Sequence, residues 1–369
     1  MIDHFRNPYA GTECQLYRLL TNLNRKQFEP ELLVFTESEF LRKEEFPCPW
    51  SSLDSASLSL PATWVRLIRF VAGFRKRGGR LAHAFFNDPS IICPPVFSAF
   101  GIRTLISRRD MGYWYTPGLE RLLRITRFFV TGAVVNSRAV ADITHSRECI
   151  PMDRIHLIYN GVVEDVQEGR NHHEEPPELG AAKENGAVVA ILVANIRPIK
   201  RIQDVVAALG EIAEDVPDLH LVVVGAGDSG ALVSQSHELG VSERIHFLGA
   251  RDNVPAYLKA ADIGVLCSES EGFSNSIVEY MQHGLAVICT ETGGNPEAIY
   301  HNESGLLYPV GDDSRLASNL AHLAMNPVKR QQMGECAKTT AGERFSIKRM
   351  VEAHEALYDR LSRYPHDGR

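Results

Sequence analysis

Short apolar runs alternate with amphipathic stretches along the whole chain, and this alternation constrains the fold more than any other feature. The runs are rich in β-branched side chains, which is typical of buried strands. The stretches between them have a helical period, so the pattern predicts βαβ units and parallel sheets. The predicted strands lie at 31–36, 81–86, 103–109, 133–137, 155–161, 187–196, 220–227, 244–250, 263–268, 285–290 and 305–309.

A polar segment interrupts this pattern. Residues 164–186 contain paired prolines and no apolar period, which is typical of a linker. We therefore predict two doubly wound α/β domains, since 369 residues suffice for two. The predicted parts are a first domain at 1–165, a linker at 166–186, a second domain at 187–343 and a terminal helix at 344–369.

Composition places the chain among globular proteins, with 44% hydrophobic and 23% charged residues, and excludes disordered, collagen-like and coiled-coil classes. The apolar run at 128–135 is far shorter than the ~18 residues of a membrane span, and the first residues form no apolar signal core. The seven cysteines are scattered and never form C-x-x-C. We expect reduced thiols, no zinc site and a cytoplasmic protein.

Positive charge concentrates in one stretch of a chain whose formal net charge is −7. Residues 61–130 contain 12 Lys or Arg and 3 Asp or Glu, and residues 61–80 have helical periodicity. The predicted apolar face of that helix consists of Trp64, Leu67, Ile68, Val71 and Phe74. Two interpretations stay open: a domain helix with a solvated basic face, and peripheral docking on an anionic membrane. The basic residues do not alternate with aromatic ones, so we expect no nucleic-acid partner.

A glycine-rich turn follows one predicted strand. Gly225, Gly227 and Gly230 fit the G-x-G-x-x-G pattern of dinucleotide sites. No acidic residue closes the next strand about 20 residues later, as a ribose-binding acid would, so the turn does not favour NAD. It is either a tight strand-to-helix turn or a place where a phosphate or nucleotide approaches the backbone at Gly225 and Gly227.

The segment 268–299 carries the strongest candidate chemistry. Glu271 ends the loop after a predicted strand, and Glu279 lies eight residues later on the helix that follows. Backbone N–H groups at the start of that helix favour an anion, and the carboxylates can accept hydrogen bonds from sugar and ribose hydroxyls. The alternatives are a capping box of Ser276 and Glu279 and a solvated loop acid at Glu271.

This segment resembles the signature of the retaining glycosyltransferases of family 4, which have the GT-B fold. The matching elements are Glu-Gly-Phe at 271–273, Glu279 and the Gly-Gly-Asn-Pro-Glu turn at 293–297. Further matching segments follow in the family order at 134–143, 155–162, 193–209, 221–228, 244–265 and 303–312. The resemblance implies two Rossmann-like domains facing a central cleft, with the acceptor held by the first, the nucleotide diphosphosugar donor held by the second, and a terminal helix crossing back to the first.

The resemblance also implies roles for individual residues. Glu279 would bind the ribose hydroxyls, Glu271 would bind hydroxyls of the donor sugar, and Lys200 would neutralise the diphosphate. Sugar and diphosphate would be held by backbone N–H groups, those of Gly272, Phe273, Ser274 and Asn275.

The second domain departs from the family pattern beside the lysine. The arginine that usually precedes it by five residues is Asn195 in this chain. Arg197, or alternatively Arg201, would reach the diphosphate instead.

The first domain departs from the pattern in three ways. The family's His-Asp pair corresponds to Arg109-Asp110, and Asp110 would orient an acceptor hydroxyl or the donor sugar, or else pair with Arg108 or Arg109. The early Gly-Gly loop is reduced to Gly11. Only residues 1–3 precede a polar stretch, so we expect a shortened first strand.

The function implied by the resemblance is retaining glycosyl transfer to a glycan or lipid-linked acceptor at the cytoplasmic face of a membrane. The chain has no Asp-x-Asp, so we expect no metal, no other cofactor and no protein nucleophile, with Lys200 and a helix N-terminus offsetting the leaving diphosphate. The alternatives are a catalytically silent GT-B scaffold and, less favoured by the two glutamates, a nucleotide-sugar 2-epimerase.

Overall fold

The computed structural model describes residues 1–8, 11–55, 60–162 and 186–363. The chain forms two compact units. Unit 1 comprises Met1–Gly161 and Ile347–Arg369, and unit 2 comprises Val162–Ser346. The predicted linker at 166–186 lies almost entirely outside the described residues, and the predicted domain boundaries remain predictions.

Unit 1 is built on parallel strands. A two-stranded sheet pairs β1 (Leu32–Val34) with β2 (Trp50–Ser52). A four-stranded sheet pairs, in this order, β3 (Leu81–Ala84), β4 (Arg103–Arg108), β5 (Gly132–Val135) and β6 (Ile155–Leu157). The strands are connected by α1 (Gly11–Asn22), α2 (Glu39–Lys43), α3 (Pro61–Lys76), α4 (Asn87–Ala99), α5 (Pro117–Thr126) and α6 (Arg138–Glu148).

Residues 1–3 join the two sheets of unit 1. Ile2 bridges Val34 in parallel, and its N–H donates to the Leu33 carbonyl at 3.1 Å. On the other side, the Met1 ammonium donates to the His83 carbonyl at 2.6 Å. The first strand is therefore as short as the sequence predicts, yet it lies between β1 and β3.

Unit 2 contains one six-stranded parallel sheet with the order β12-β11-β10-β7-β8-β9. Its strands are β7 (Val188–Val193), β8 (Leu219–Val224), β9 (Ile245–Gly249), β10 (Ile263–Leu266), β11 (Ala286–Thr290) and β12 (Gly305–Tyr308). Its helices are α7 (Ile202–Glu211), α8 (Gly230–Glu238), α9 (Val254–Ala260), α10 (Asn275–Gln282), α11 (Asn295–Ala298), α12 (Asp313–Met325) and α13 (Pro327–Arg344). The final helix, α14 (Ile347–Arg363), packs against α1 within unit 1.

The central strands of unit 2 are buried on both faces. Ile191, Val222, Val265 and Ile288 are at most 1% exposed. Each such side chain contributes about 1.5–3 kcal/mol relative to full exposure, and this explains why the apolar runs are continuous rather than alternating.

Every predicted strand has a counterpart in the structure, but β2 was not predicted. Its three residues, Trp50–Ser52, are half-buried and contain no apolar run. The pairing with β1 supplies the order that the local sequence does not encode.

The predicted apolar face of α3 is only partly correct. Leu67 and Val71 are fully buried, but Trp64 is 37% and Ile68 is 45% exposed. Thr63 joins the buried face instead. The buried face is therefore rotated from the predicted one, and Trp64 and Ile68 face solvent. Among the described ranges, no helix combines the length and apolar character that a membrane crossing needs.

Candidate active site

The sheet of unit 2 reverses its strand order between β7 and β10. From β7 the chain first adds β8 and β9 on one side, then returns to add β10, β11 and β12 on the other. In open α/β sheets, ligands bind at the carboxyl ends of the strands at such a switch point. The predicted residues Lys200 and Glu271 follow β7 and β10 and therefore flank it.

The hydroxyl of Tyr280, on α10, connects β7 and β10 just beyond the residues at which the two strands pair. Its hydroxyl accepts the Val193 N–H at 2.6 Å and donates to the Val265 carbonyl at 3.3 Å. Burial raises the pKa of Tyr280, so the hydroxyl remains protonated. Gly264 makes room for the ring, because a Cβ there would lie 2.4 Å from it. This role of Tyr280 could not be predicted from the sequence, since it depends on contacts between elements distant along the chain.

Two serines set the start of α10. The Ser274 side chain caps the helix by accepting the Ile277 N–H at 3.5 Å, a long contact. Ser276 instead donates to the Val193 carbonyl at 2.8 Å, which ties α10 to the end of β7. The capping box proposed for Ser276 and Glu279 is therefore wrong, because Ser274 is the N-cap of the helix.

The residues leading into α10 are firmly packed. Gly272, Phe273 and Ser274 are buried, and the Phe273 ring lies 5.2 Å from that of Phe345. Asn275 begins the helix, so the positive end of its dipole lies at these residues. Glu279 follows one turn later and is half-buried.

Lys200 and Glu271 form an ion pair. The Lys200 Nζ lies 2.5 Å from Glu271 Oε1, and their side chains are 25% and 13% exposed. The solvated-loop alternative for Glu271 is therefore wrong. The structure brings a cation and a carboxylate together at the switch point, with part of each accessible to a ligand.

Backbone contacts fix the loops that carry this pair. The Glu269 N–H donates to the Ile199 carbonyl at 2.9 Å, joining the loops after β10 and β7. The Gly294 N–H donates to the Glu271 carbonyl at 3.2 Å. Gly293 has a φ of +51°, and a Cβ there would lie 1.7 Å from the same carbonyl oxygen. The Gly-Gly turn thus braces Glu271, which explains why glycine is needed at 293.

The glycines of the turn after β8 have a structural explanation. A Cβ on Gly225 would lie 2.0 Å from the Ala194 carbonyl oxygen, and one on Gly227 would lie 2.7 Å from the Ile196 Cβ. Asn195 completes this packing, because its Oδ1 accepts the Ala226 N–H at 3.1 Å. Close packing against residues 194–196 thus accounts for both glycines, and a role in donor binding remains a proposal.

The two candidate arginines differ in their partners. Arg201 forms two hydrogen bonds with the buried Asp204, at 2.6 and 3.1 Å. Arg197 is exposed, and its side chain makes no hydrogen bond or ion pair to the described residues. Arg197 is therefore the arginine that remains available to an anion.

The predicted site residues of unit 1, Asp110 and Gly11, lie on different elements, after β4 and at the start of α1. Asp110 Oδ1 accepts the Gly112 N–H at 2.7 Å and the Trp114 Nε1–H at 2.9 Å, and burial raises its pKa. It forms no ion pair with Arg108 or Arg109 among the described residues, so that alternative is wrong. Gly11 begins α1 with a φ of +47°.

Arg108 and Arg109 have other partners. Arg108 forms a buried pair with Glu148, with contacts of 2.5 and 3.0 Å, and Arg109 donates to the Asn160 Oδ1 at 2.6 Å. The sequence showed two adjacent arginines without indicating that their environments differ.

Part of the chain resembles known proteins in sequence. Residues 179–340 match the family model described as Glycosyl transferases group 1. N-acetyl-alpha-D-glucosaminyl L-malate synthase of Bacillus anthracis is 31% identical over 249 residues, which are 66% of this chain and 63% of that protein. D-inositol 3-phosphate glycosyltransferase of Corynebacterium jeikeium is 33% identical over 186 residues, 48% of this chain and 44% of that protein. The matched regions thus span about half to two thirds of these relatives.

A solved structure matches almost the whole chain. Anabaena Alr3699/HepE, crystallised in complex with UDP, gives a TM-score of 0.81 at 18% identity, covering 97% of this chain and 99% of that one. This similarity establishes the α/β fold with two Rossmann-like units, as in GT-B proteins. The family-model match at 179–340 falls within Val162–Ser346, the range of unit 2.

Proposed function

We propose that the protein transfers a sugar from a nucleotide diphosphosugar to an acceptor hydroxyl with retention of the anomeric configuration. The observation that carries the proposal is the pair of Lys200 and Glu271 at the switch point, in the loops next to the start of α10. A cation and a helix N-terminus suit a diphosphate, and a carboxylate suits sugar hydroxyls. The match of residues 179–340 to group 1 glycosyl transferases supports the same class.

In this proposal the ion pair is the resting state of the donor site. Lys200 and Glu271 hold each other in place until the donor enters. The ammonium then neutralises the diphosphate, and the carboxylate accepts hydrogen bonds from the sugar. Glu279 accepts those of the ribose, and Gly272–Asn275 offer backbone N–H groups.

The chemistry needs no protein nucleophile. The bond between the anomeric carbon and the diphosphate oxygen breaks, and the acceptor oxygen bonds to the same face of that carbon. A diphosphate oxygen takes the acceptor proton. Lys200 and Arg197 offset the charge that develops on the leaving group, so we expect transfer to continue in EDTA.

The relatives suggest which substrates to test first. Alr3699/HepE has been crystallised with UDP and with UDP-glucose, so UDP-sugars are the first donors. The names of the two relatives mention L-malate and inositol 3-phosphate, both small anionic molecules. The predicted glycan or lipid-linked acceptor is the other class to test, with Asp110 orienting the acceptor hydroxyl.

Peripheral membrane contact through α3 and a cytoplasmic location belong to the same proposal. Trp64, Val65 and Ile68 are 37–45% exposed, and Arg69 is exposed beside them. Apolar side chains among basic ones suit an anionic bilayer surface. Sedimentation with vesicles that contain anionic lipid, compared with neutral ones, tests this contact.

A catalytically silent scaffold is the second candidate. It is favoured by Asn195, which stands where the family has an arginine and is engaged with Ala226. Such a protein would bind the donor nucleotide without consuming it. Measuring release of UDP from UDP-glucose with each acceptor class separates the two functions.

Donor binding is tested by a thermal-shift panel of UDP, GDP and ADP on the wild type, Glu279→Ala and the matched control Glu214→Ala. Glu214 is an exposed acid of the same unit. At ~100 times the dissociation constant a ligand stabilises by about 2.7 kcal/mol. One nucleotide should stabilise the wild type and Glu214→Ala but not Glu279→Ala. The donor site is refuted if no nucleotide shifts the wild type or if Glu279→Ala responds equally.

A further inference from the structure

Arg109 is a largely buried cation without a carboxylate partner. Its Nη1 donates to the Asn160 Oδ1 at 2.6 Å, and its guanidinium lies 5.6 Å from the centre of the Phe85 ring. Nε is buried without a hydrogen-bond partner, and Nη2 makes no hydrogen bond to the described residues. The Nε–Nη2 edge of the guanidinium is therefore unpaired.

The neighbouring Arg108 shows how this fold satisfies a buried arginine. Arg108 forms a two-bond pair with Glu148 and also donates to the Ser90 hydroxyl at 2.7 Å. The Glu148 carboxylate raises the pKa of Arg108, whereas burial lowers that of Arg109 to about 10. Adjacent in the chain, the two arginines differ in whether a counter-charge is present.

The groups around Arg109 increase its need for an anion. The positive charge of Arg109 contributes to lowering the pKa values of His83 and His354, and burial does so more strongly. Tyr358 acts against the lowering of the Arg109 pKa. Burial raises the pKa of Tyr358 itself, so this phenol stays neutral and provides no counter-charge. Burying an uncompensated charge is costly unless a partner provides the opposite charge.

The position of Arg109 suits ligand binding. It directly follows β4, while Asn136 and Asn160 follow β5 and β6, so all three lie at the carboxyl edge of the sheet. Asn136 donates to the Arg109 carbonyl at 3.2 Å, and its Oδ1 is buried without a partner. At the edge where α/β sheets bind ligands, Arg109 thus offers unused donors for an anion, and the Asn136 Oδ1 offers an acceptor for a hydroxyl.

We propose that Arg109 binds an oxyanion, a carboxylate or phosphate, carried by the acceptor. The unpaired Nε–Nη2 edge matches two oxygens of such a group. The acceptor role rests on the proposed glycosyl transfer, whereas the anion site rests on Arg109 itself. Asp110, the next residue, would then engage the hydroxyl of the acceptor whose anion Arg109 holds.

The test measures anion-induced stabilisation directly. Inorganic phosphate and L-malate are titrated into the wild type at constant ionic strength made up with chloride, and the midpoint of thermal unfolding is recorded. The same titrations are run on Arg109→Met, Arg109→Lys and Lys200→Met. Lys200→Met is included because phosphate can also occupy the proposed donor site.

We expect phosphate or L-malate to raise the midpoint of the wild type and of Lys200→Met but not that of Arg109→Met. Arg109→Lys keeps the positive charge but lacks the two parallel N–H donors of the Nε–Nη2 edge. Its apparent affinity for the anion should therefore fall at least fivefold. Without anion, Arg109→Met should unfold no lower than the wild type, because it removes an uncompensated buried charge. A larger shift with phosphate than with L-malate would indicate a phosphate on the acceptor, and a larger shift with L-malate would indicate a carboxylate.

Several results would overturn the proposal. One is an equal anion response in the wild type and Arg109→Met, and another is no response in the wild type. A third is a lower midpoint for Arg109→Met that Arg109→Lys restores, with the anion response unchanged in Arg109→Lys. UDP is titrated into the same samples: absence of a UDP response in the wild type refutes the donor site, and absence of an anion response in a wild type that still responds to UDP refutes only the role of Arg109.

Discussion

Replacing Tyr280 by phenylalanine tests how the switch point is built. The substitution keeps the ring packed against Gly264 but removes the hydroxyl that accepts from Val193 and donates to Val265. Two lost hydrogen bonds cost about 1 kcal/mol each, and a Val193 N–H left without a partner adds about 1 kcal/mol. We therefore expect the free energy of unfolding to fall by about 2–3 kcal/mol.

This loss should lower the midpoint of thermal unfolding by a measurable amount. For a unit of this size, 1 kcal/mol shifts the midpoint by about 2–4 °C, so Tyr280→Phe should unfold roughly 5–10 °C lower. Hydrogen exchange should accelerate in β7 and β10 before it does in β9. Tyr113→Phe is the matched control, because Tyr113 is 79% exposed. A shift of Tyr280→Phe no larger than that of the control would refute the role of the hydroxyl.

Three further predictions follow from local geometry. Gly293→Ala should weaken nucleotide binding by at least tenfold in calorimetry, because its Cβ would displace the Glu271 carbonyl; unchanged affinity would contradict this. Glu148→Gln should lower the free energy of unfolding by about 3–5 kcal/mol in urea titration, since it leaves Arg108 buried and uncompensated; a loss under 1 kcal/mol would contradict it. Asp110→Asn should abolish transfer yet be at least as stable as the wild type at pH 7, and a large loss of stability would argue for a structural role.

The sign of the Asp110 prediction follows from its raised pKa. The folded protein binds the Asp110 proton more tightly than the unfolded chain does. Stability is therefore lost as pH rises from the ordinary carboxyl pKa through the raised one. Asparagine can accept the same bonds from Gly112 and Trp114 without this cost, so the stability of Asp110→Asn should depend less on pH in that window.

The sequence predicted the strands well and the side-chain partners poorly. Runs such as 188–193 and 219–224 are buried on both faces, so their apolar character identifies them without any tertiary information. Strand β2 has no such run and is ordered by pairing with β1. The local sequence pattern is therefore sufficient to predict a strand that is buried on both faces. It fails for a strand that is ordered by pairing with a neighbouring strand.

In the candidate site, too, the sequence identifies residues but not their partners. Glu271 and Lys200 could be nominated from their motifs, but their ion pair could not. Ser276 looked like a cap by spacing, yet it binds Val193, and Ser274 caps the helix. Which of two serines or two arginines meets a given partner depends on strand order, which no local pattern contains.

In the proposed donor site, Lys200 neutralises the diphosphate without a metal ion. Isothermal titration of UDP into the wild type and Lys200→Met, each with and without EDTA, measures this contribution. A bond to a charged group is worth about 1.5–3 kcal/mol, so the account predicts at least tenfold weaker binding to Lys200→Met and no effect of EDTA. Equal affinity for both proteins, or wild-type binding abolished by EDTA, would contradict it.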